Sequence, residues 1–294
     1  LSPFNAVLLA AIFNFIAFTV FPMKVATTMG KGVIDPAVVT LTVIAAALVA
    51  AITWNLLTWW WGLPSSSSHT LVGGLVGAAI VSSGPSSVIA GGVLKIAAFI
   101  VIAPLLGMVM SYIISIIVIN LVKKHSPSGV DKHFRRLQLL SAAAFSLGHG
   151  GNDAQKSMGI IWIALITMGM ASVDDKRPEL WVVLSCQAAI ALGTLFGGWR
   201  IVKTMGQRIT KLKPFEGFCA ETAGALTLFG ATHFGIPVST THTITGAIMG
   251  VGAIKGLSAV KWGVTTKIFW AWILTIPVSA VIGAVVFFFF NSLF

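Results

Sequence analysis

This chain of 294 residues has little charge and less acid. Only 9% of its residues are charged, and Asp and Glu together number 8. Soluble domains carry about 25% charged residues, so a solvated globular surface is excluded. Cysteine is scarce too: Cys186 and Cys219 both stand in apolar surroundings, and no disulfide framework is indicated. What fills the space is apolar. Hydrophobic residues make up 56% of the chain and mean hydropathy is +0.95. Apolar runs of spanning length recur from end to end, which argues for an all-α polytopic membrane protein rather than a single anchor. The 19 Lys and Arg leave a net charge of +11. They concentrate between the runs, where orientation in a bilayer accounts for them and nucleic-acid binding need not. No nucleophile–base pair and no metal-ligand set is visible, so an enzyme is not expected, nor is a cofactor.

The costliest stretch is Gly148-His149-Gly150-Gly151-Asn152-Asp153-Ala154-Gln155-Lys156-Ser157-Met158-Gly159, set between the apolar runs Leu137–Phe145 and Ile160–Met170. A mid-membrane Asp or Lys costs roughly 2.5–3.5 kcal/mol on insertion scales. Its four glycines each weaken a helix by ~1 kcal/mol relative to alanine. The composition predicts a broken helix carrying a substrate or ion site, with a loop between two short helices as the plainer alternative. Glu221, four residues into the run Phe218–Phe234, is a second membrane-depth carboxylate. It reads as a cation ligand or as an interfacial residue reaching for water.

In chain order, spans are expected over Phe4–Phe21, Ala37–Trp61, Val88–Val122, Leu180–Ile201, Phe218–Phe234 and Trp262–Phe290. Residues 22–36 read as a loop. The run Leu71–Val81 is too short to cross, and the one after Thr243 matches it.

The sequence repeats. Pro64-Ser65-Ser66-Ser67-Ser68-His69-Thr70 and Pro237-Val238-Ser239-Thr240-Thr241-His242-Thr243 agree at four of seven positions. Their offset of 173 (237 − 64) also carries Gly62 to Gly235, Gly77 to Gly250 and Pro104 to Pro277. An offset of 176 (204 − 28) carries Thr28-Met29-Gly30 to Thr204-Met205-Gly206. The loop after the first span holds two Lys and one Asp, whereas Arg200 to Lys213 holds five basic residues and no acid. Positive-inside reasoning therefore gives the two copies opposite orientations. Inverted repeats with substrate bound near the midplane are a common plan for secondary transporters. The boundaries expected are a first repeat over 1–122, a basic cytoplasmic linker over 123–136 and a second repeat over 137–294. The first repeat would lack an N-terminal helix bearing its own version of the Asn-Asp motif.

Each Pro-Ser/Thr-His segment lies between a full span and a run too short to cross, the pattern of a re-entrant hairpin. Pro suits the first turn of the short helix and Ser or Thr its cap. The free N–H groups and crowded hydroxyls would then form a pocket for an oxyanion without an obligatory arginine. Plain capping and helix packing is the alternative. His69 and His242, five residues into each motif, read as a proton relay or as scaffolding of the hairpin tip.

These motifs closely resemble those of the inorganic phosphate transporter family, from near residue 1 to the C-terminus: Gly151-Asn152-Asp153 through Gly159, Gly62-Leu63-Pro64 with its serines and His69, and Gly235-Ile236-Pro237 through His242. The resemblance implies a multi-pass protein of the cell membrane with two inverted repeats and two re-entrant hairpins, importing phosphate with a cation gradient. Carried over, Ser65, Ser66, Ser67, Asp153, Gln155, Ser239, Thr240 and Thr241 would hold phosphate. Asn152 and Asp153, with Glu221 added from its depth, would hold the coupling cation. Sodium is favoured and a proton is the alternative; both keep an anionic substrate from meeting a bare carboxylate. The partners implied are phosphate, the cation and membrane lipid, and a homo-oligomer stays open. A permease for sulfate or arsenate, or an anion channel, would use the same helix ends.

Overall fold

A computed structural model describes residues 2–293, and these fold into helices joined by short turns. In order they are α1 (Pro3–Ile16), α2 (Lys24–Lys31), α3 (Leu41–Trp61), α4 (Ser67–Ser83), α5 (Ala90–Val122), α6 (Pro127–Thr167), α7 (Leu180–Phe196), α8 (Trp199–Lys203), α9 (Pro214–His233), α10 (Thr240–Ile254) and α11 (Trp262–Leu293). Three of them, α3, α5 and α11, are long and apolar enough to cross a membrane. Two more spans appear if the bent pairs are joined, α1 with α2 at 81° and α7 with the α8 segment at 65°. Among the described residues no β-strand forms beyond one isolated bridge, Ile34 with Val88.

Four expectations change. Residues 22–36 are not simply a loop, because Lys24–Lys31 form α2. The basic stretch 127–136 is the first part of α6, started by Pro127 and by Ser126, whose hydroxyl accepts from Gly129 N. Pro64 and Pro237 stand two residues ahead of the N-caps Ser66 and Ser239 instead of in the first helical turn. The largest change is in α6, which runs unbroken for 41 residues through the glycine-rich stretch.

Packing explains that continuity. The glycines of α6 are close-approach sites: a Cβ on Gly150 would overlap the backbone of Asn14, one on Gly151 the ring of Phe21, and one on Gly159 the backbone of Ala26 and Gly30. The helix propensity lost at these glycines is offset by close contact of α6 with α1, with Phe21, with α2 and, at Gly148, with Leu228 and Phe229 of α9. Glycine in a membrane helix here marks an interface, as small residues generally do.

The elements recur in order. The offset of 173 takes the start of α3 to that of α9 (41 to 214) and the start of α4 to that of α10 (67 to 240). The offset of 176 takes α2 onto the segment formed by α8 and the π-helical turn Thr204–Arg208. Backbone detail repeats as well. Gly62 and Gly235 end α3 and α9 with φ of 68° and 67°, the left-handed region open to glycine. Leu63 N then donates back to Thr58 O (2.9 Å) and Ile236 N to Ala231 O (2.8 Å), the six-residue closure of a Schellman motif. The next helices start alike: Ser66 accepts from His69 N at 3.3 Å and Ser239 from His242 N at 3.2 Å.

The two halves interlock. Gly73 and Gly77 of α4 lie against Ile276, Ser279 and Ala280 of α11, while Gly246 and Gly250 of α10 lie against Pro104, Met108 and Ser111 of α5. Each half's short helix thus packs on the last helix of the other half. Buried clusters form around both, one including Val43, Val72, Leu75 and Ile163, the other Cys219, Ile248, Ile268 and Trp272. Exposed Ile113, Ile117, Phe288 and Phe289 leave α5 and α11 an apolar outer surface.

Candidate functional site

Because α6 is continuous, residues four apart stack on one face, and His149 and Asp153 meet. His149 Nε2 lies 3.1 Å from Asp153 Oδ2, and its Nδ1 lies 3.0 Å from Asn14 Oδ1. Lys156 reaches back to Asp153 Oδ1 at 2.5 Å and also donates to Val238 O at 2.6 Å. Thr240 donates its hydroxyl to Asp153 Oδ2 at 2.9 Å. Asp153 is therefore tied at once to its own helix and to the start of α10. Lys156 is 1% exposed; a buried ammonium needs such a partner.

A cavity of about 250 Å³ opens beside Asp153. Its walls include Asn55, Thr58, Ser65, Ser67, His149, Thr240 and Thr241. A second cavity, about 590 Å³, shares Ser67, His149 and Asp153 and is also lined by Ser157, Ser185 and Cys186. The starts of α4 and α10 thus converge on one volume. Their free backbone N–H groups and helix dipoles favour negative charge there. Thr58 and Ser65 share a hydrogen bond of 2.6 Å. Ser67 and Thr241 also line the cavity, and among the described residues their hydroxyls make no hydrogen bond within the protein.

The residues expected at the site separate into those that line it and those that hold it. Ser65, Ser67, Asp153, Thr240 and Thr241 line it. Ser66 and Ser239 are buried caps beneath the surface and are not among the walls. Gln155 faces away: its Oε1 accepts from Val25 N and Ala26 N, and its Nε2 donates to Pro22 O, so it caps the start of α2. Asn152 is fully buried, with Nδ2 donating to Thr232 and to Ile236 O. Its Oδ1 has no hydrogen-bond partner among the described residues. Glu221 stands apart. It accepts from Ser141 at 2.6 Å, and twelve residues of α6, about 18 Å at 1.5 Å per residue, separate Ser141 from Asp153.

His69 and His242 meet each other rather than the cavity. No ring nitrogen of either has a hydrogen-bond partner among the described residues. The rings instead meet edge to face with centroids 4.9 Å apart. His242 stacks on Trp272 at 3.9 Å, and Trp272 Nε1 donates to Pro64 O at 3.0 Å. One tryptophan of α11 therefore touches both hairpin motifs. Sequence reasoning passed over His149, Asn55 and Thr58. For His149 the signal was present, four residues before Asp153, but it is legible only on an intact helix.

Residues 1–283 match the family model described as the phosphate transporter family. A probable low-affinity inorganic phosphate transporter of Rhizobium meliloti (strain 1021) is 57% identical over 288 residues, covering 98% of this chain and 86% of that one. A protein of the same description from Bacillus subtilis (strain 168) is 42% identical, over 100% and 88% of the two chains. Among solved structures, one titled the sodium-dependent phosphate transporter superposes with a TM-score of 0.88 at 25% identity, covering 100% of this chain and 91% of that one.

Proposed function

The chain belongs to the phosphate transporter family, and from that premise we propose that it carries inorganic phosphate across the cell membrane together with a sodium ion, by alternating access between two halves of opposite orientation. Phosphate transport is the family's activity and the description of its close relatives. The observation that carries the rest is the convergence of two N-capped helices, with Ser65, Ser67 and Thr241, on the cavity beside Asp153.

On this reading Ser67 and Thr241 donate to phosphate oxygens, helped by the backbone N–H groups opening α4 and α10, while Thr58, which donates to Trp54 O, accepts from Ser65 and fixes that wall. Thr240 has committed its proton to Asp153, so it acts by orienting that carboxylate. Lys156 neutralises Asp153 from below and does not line the cavity. The pair therefore offers phosphate no net positive charge, and a sodium ion supplies it. Asp153 contributes a carboxylate oxygen and Asn152 its unpartnered Oδ1, the hard oxygen ligands such a cation takes. The sodium-dependent description of the structural neighbour supports the same choice.

Phosphate uptake into proteoliposomes under imposed gradients tests it. An inward sodium gradient should drive accumulation above equilibrium. Accumulation with a proton gradient alone would transfer the coupling role to protons. Equilibration without any accumulation would point to a channel, and equal uptake of sulfate to a wider oxyanion permease.

A further inference from the structure

The repeated Thr-Met-Gly motif is not used by the binding site, yet it touches both hairpins. Thr28 Oγ1, on α2, lies 2.7 Å from Gly235 O. Thr204 Oγ1, at the start of the π-helical turn after α8, lies 3.0 Å from Gly62 O. The two contacts are copies of each other under the internal repeat, and they cross. The bent helix of each half holds the glycine at which the other half enters its hairpin. Both glycines are the left-handed ones that end α3 and α9, each four residues ahead of the capping serine, Ser66 or Ser239.

Each threonine also has a second acceptor. Thr28 Oγ1 stands 3.1 Å from Lys24 O in its own helix, and Thr204 Oγ1 stands 3.2 Å from Arg200 O. A hydroxyl has one proton, so it serves the glycine or its own helix at a given moment. Letting go of the hairpin therefore leaves no unsatisfied donor, and unsatisfied buried donors are what make such contacts hard to break. The two-residue geometry is a holding contact with a ready release.

We propose that Thr28 and Thr204 are positioning residues of the transport cycle, a reciprocal pair of latches. Thr28 holds the second hairpin and Thr204 the first, and they are released in turn as access alternates. The present structure has both engaged, the Thr28 contact more closely. Release hinges the hairpin at Gly235 or Gly62, whose left-handed backbone already marks the corner. The release step rests on the transport reading above; the crossed holding contact does not.

The test uses the full chain and two readouts. Hydrogen exchange followed by mass spectrometry reports on the hairpins without requiring transport. Thr28→Val should speed exchange over 235–243 by about 5-fold and leave 62–70 unchanged, and Thr204→Val should do the reverse, since losing one hydrogen bond weakens the closed state by about that factor. Thr28→Ser and Thr204→Ser, which keep the hydroxyl, should restore wild-type exchange. In proteoliposomes each valine variant should raise half-saturating phosphate roughly 3- to 10-fold, with serine again restoring it. Exchange that changes in the same half as the substitution, or not at all, overturns the latches. So does a serine variant as impaired as its valine counterpart, which would assign the effect to the methyl group. If wild-type protein moves no phosphate while the crossed exchange pattern holds, the functional reading fails and the holding contact stands.

Discussion

Removing the charge of Asp153 separates its observed role, balancing Lys156, from the coupling role proposed for it. Asp153→Asn keeps the shape but leaves Lys156, 1% exposed, without the carboxylate at 2.5 Å that balances it. Breaking a buried pair from one side costs about 3–5 kcal/mol. For a chain of this size that is on the order of a 10 °C fall in melting temperature, read by thermal unfolding in detergent. Sodium-stimulated phosphate uptake should be lost as well. Loss of activity alone would be ambiguous, because a destabilised protein also transports poorly. Adding Lys156→Met resolves it. With both charges gone the double variant should recover most of the melting temperature, short of the hydrogen bond to Val238 O, and still show no sodium stimulation. A double variant that is stable and transports phosphate up a sodium gradient would remove Asp153 from coupling. A single variant with unchanged melting temperature would refute the buried pair.

The hydroxyls should divide by position: Ser67→Ala or Thr241→Ala raises half-saturating phosphate with little change in melting temperature, whereas Ser66→Ala or Ser239→Ala loses a helix cap worth about 0.5–2 kcal/mol and shows first in thermal unfolding. Glu221→Gln should keep sodium-stimulated uptake, since its carboxylate is bonded to Ser141 well along α6 from Asp153; loss of stimulation would bring Glu221 into the cation path. Gly77→Ala places a methyl on the Ala280 carbonyl and should cost about 1–3 kcal/mol by overpacking. Gly230→Ala in α9, with nothing near its Cβ, should be neutral or gain up to about 1 kcal/mol of helix propensity; equal effects of the two would contradict the packing of α4 on α11.

Helix class and the repeat were legible because they rest on hydropathy and on short identical motifs. The starts of α4 and α10 could be placed from Pro, Ser and His alone, within two residues of their caps. The α6 stretch was misjudged for a physical reason. Glycine lowers helix propensity wherever it stands, but whether it opens a helix depends on what packs there, and Asn14, Phe21 and Ala26 are distant in sequence. That one inversion hid the pairing of His149 with Asp153 and turned Gln155 from a presumed ligand into the cap of α2. Glu221 shows the opposite limit. Depth in an apolar run identifies a costly carboxylate, yet it does not say which partner meets that cost.

On the proposed reading, the charge arrangement gives the site a way to release what it binds. Phosphate carries one or two negative charges near neutral pH, and a free arginine facing the cavity would hold it in every conformation. The walls instead include neutral donors, Ser67 and Thr241 among them, while the buried Lys156 is spent on Asp153. Hydroxyls and helix N-termini attract an anion only while their two halves point at one volume. Swing one hairpin away and half of the donors leave with it, while the Asp153–Lys156 pair stays neutral on α6. On the proposed reading, a sodium ion bound at Asp153 would make the difference between a site that accepts phosphate and one that does not. Affinity would thus be a property of the meeting of two helix starts and one coupled ion, which is the condition that the proposed alternating access requires of its substrate site.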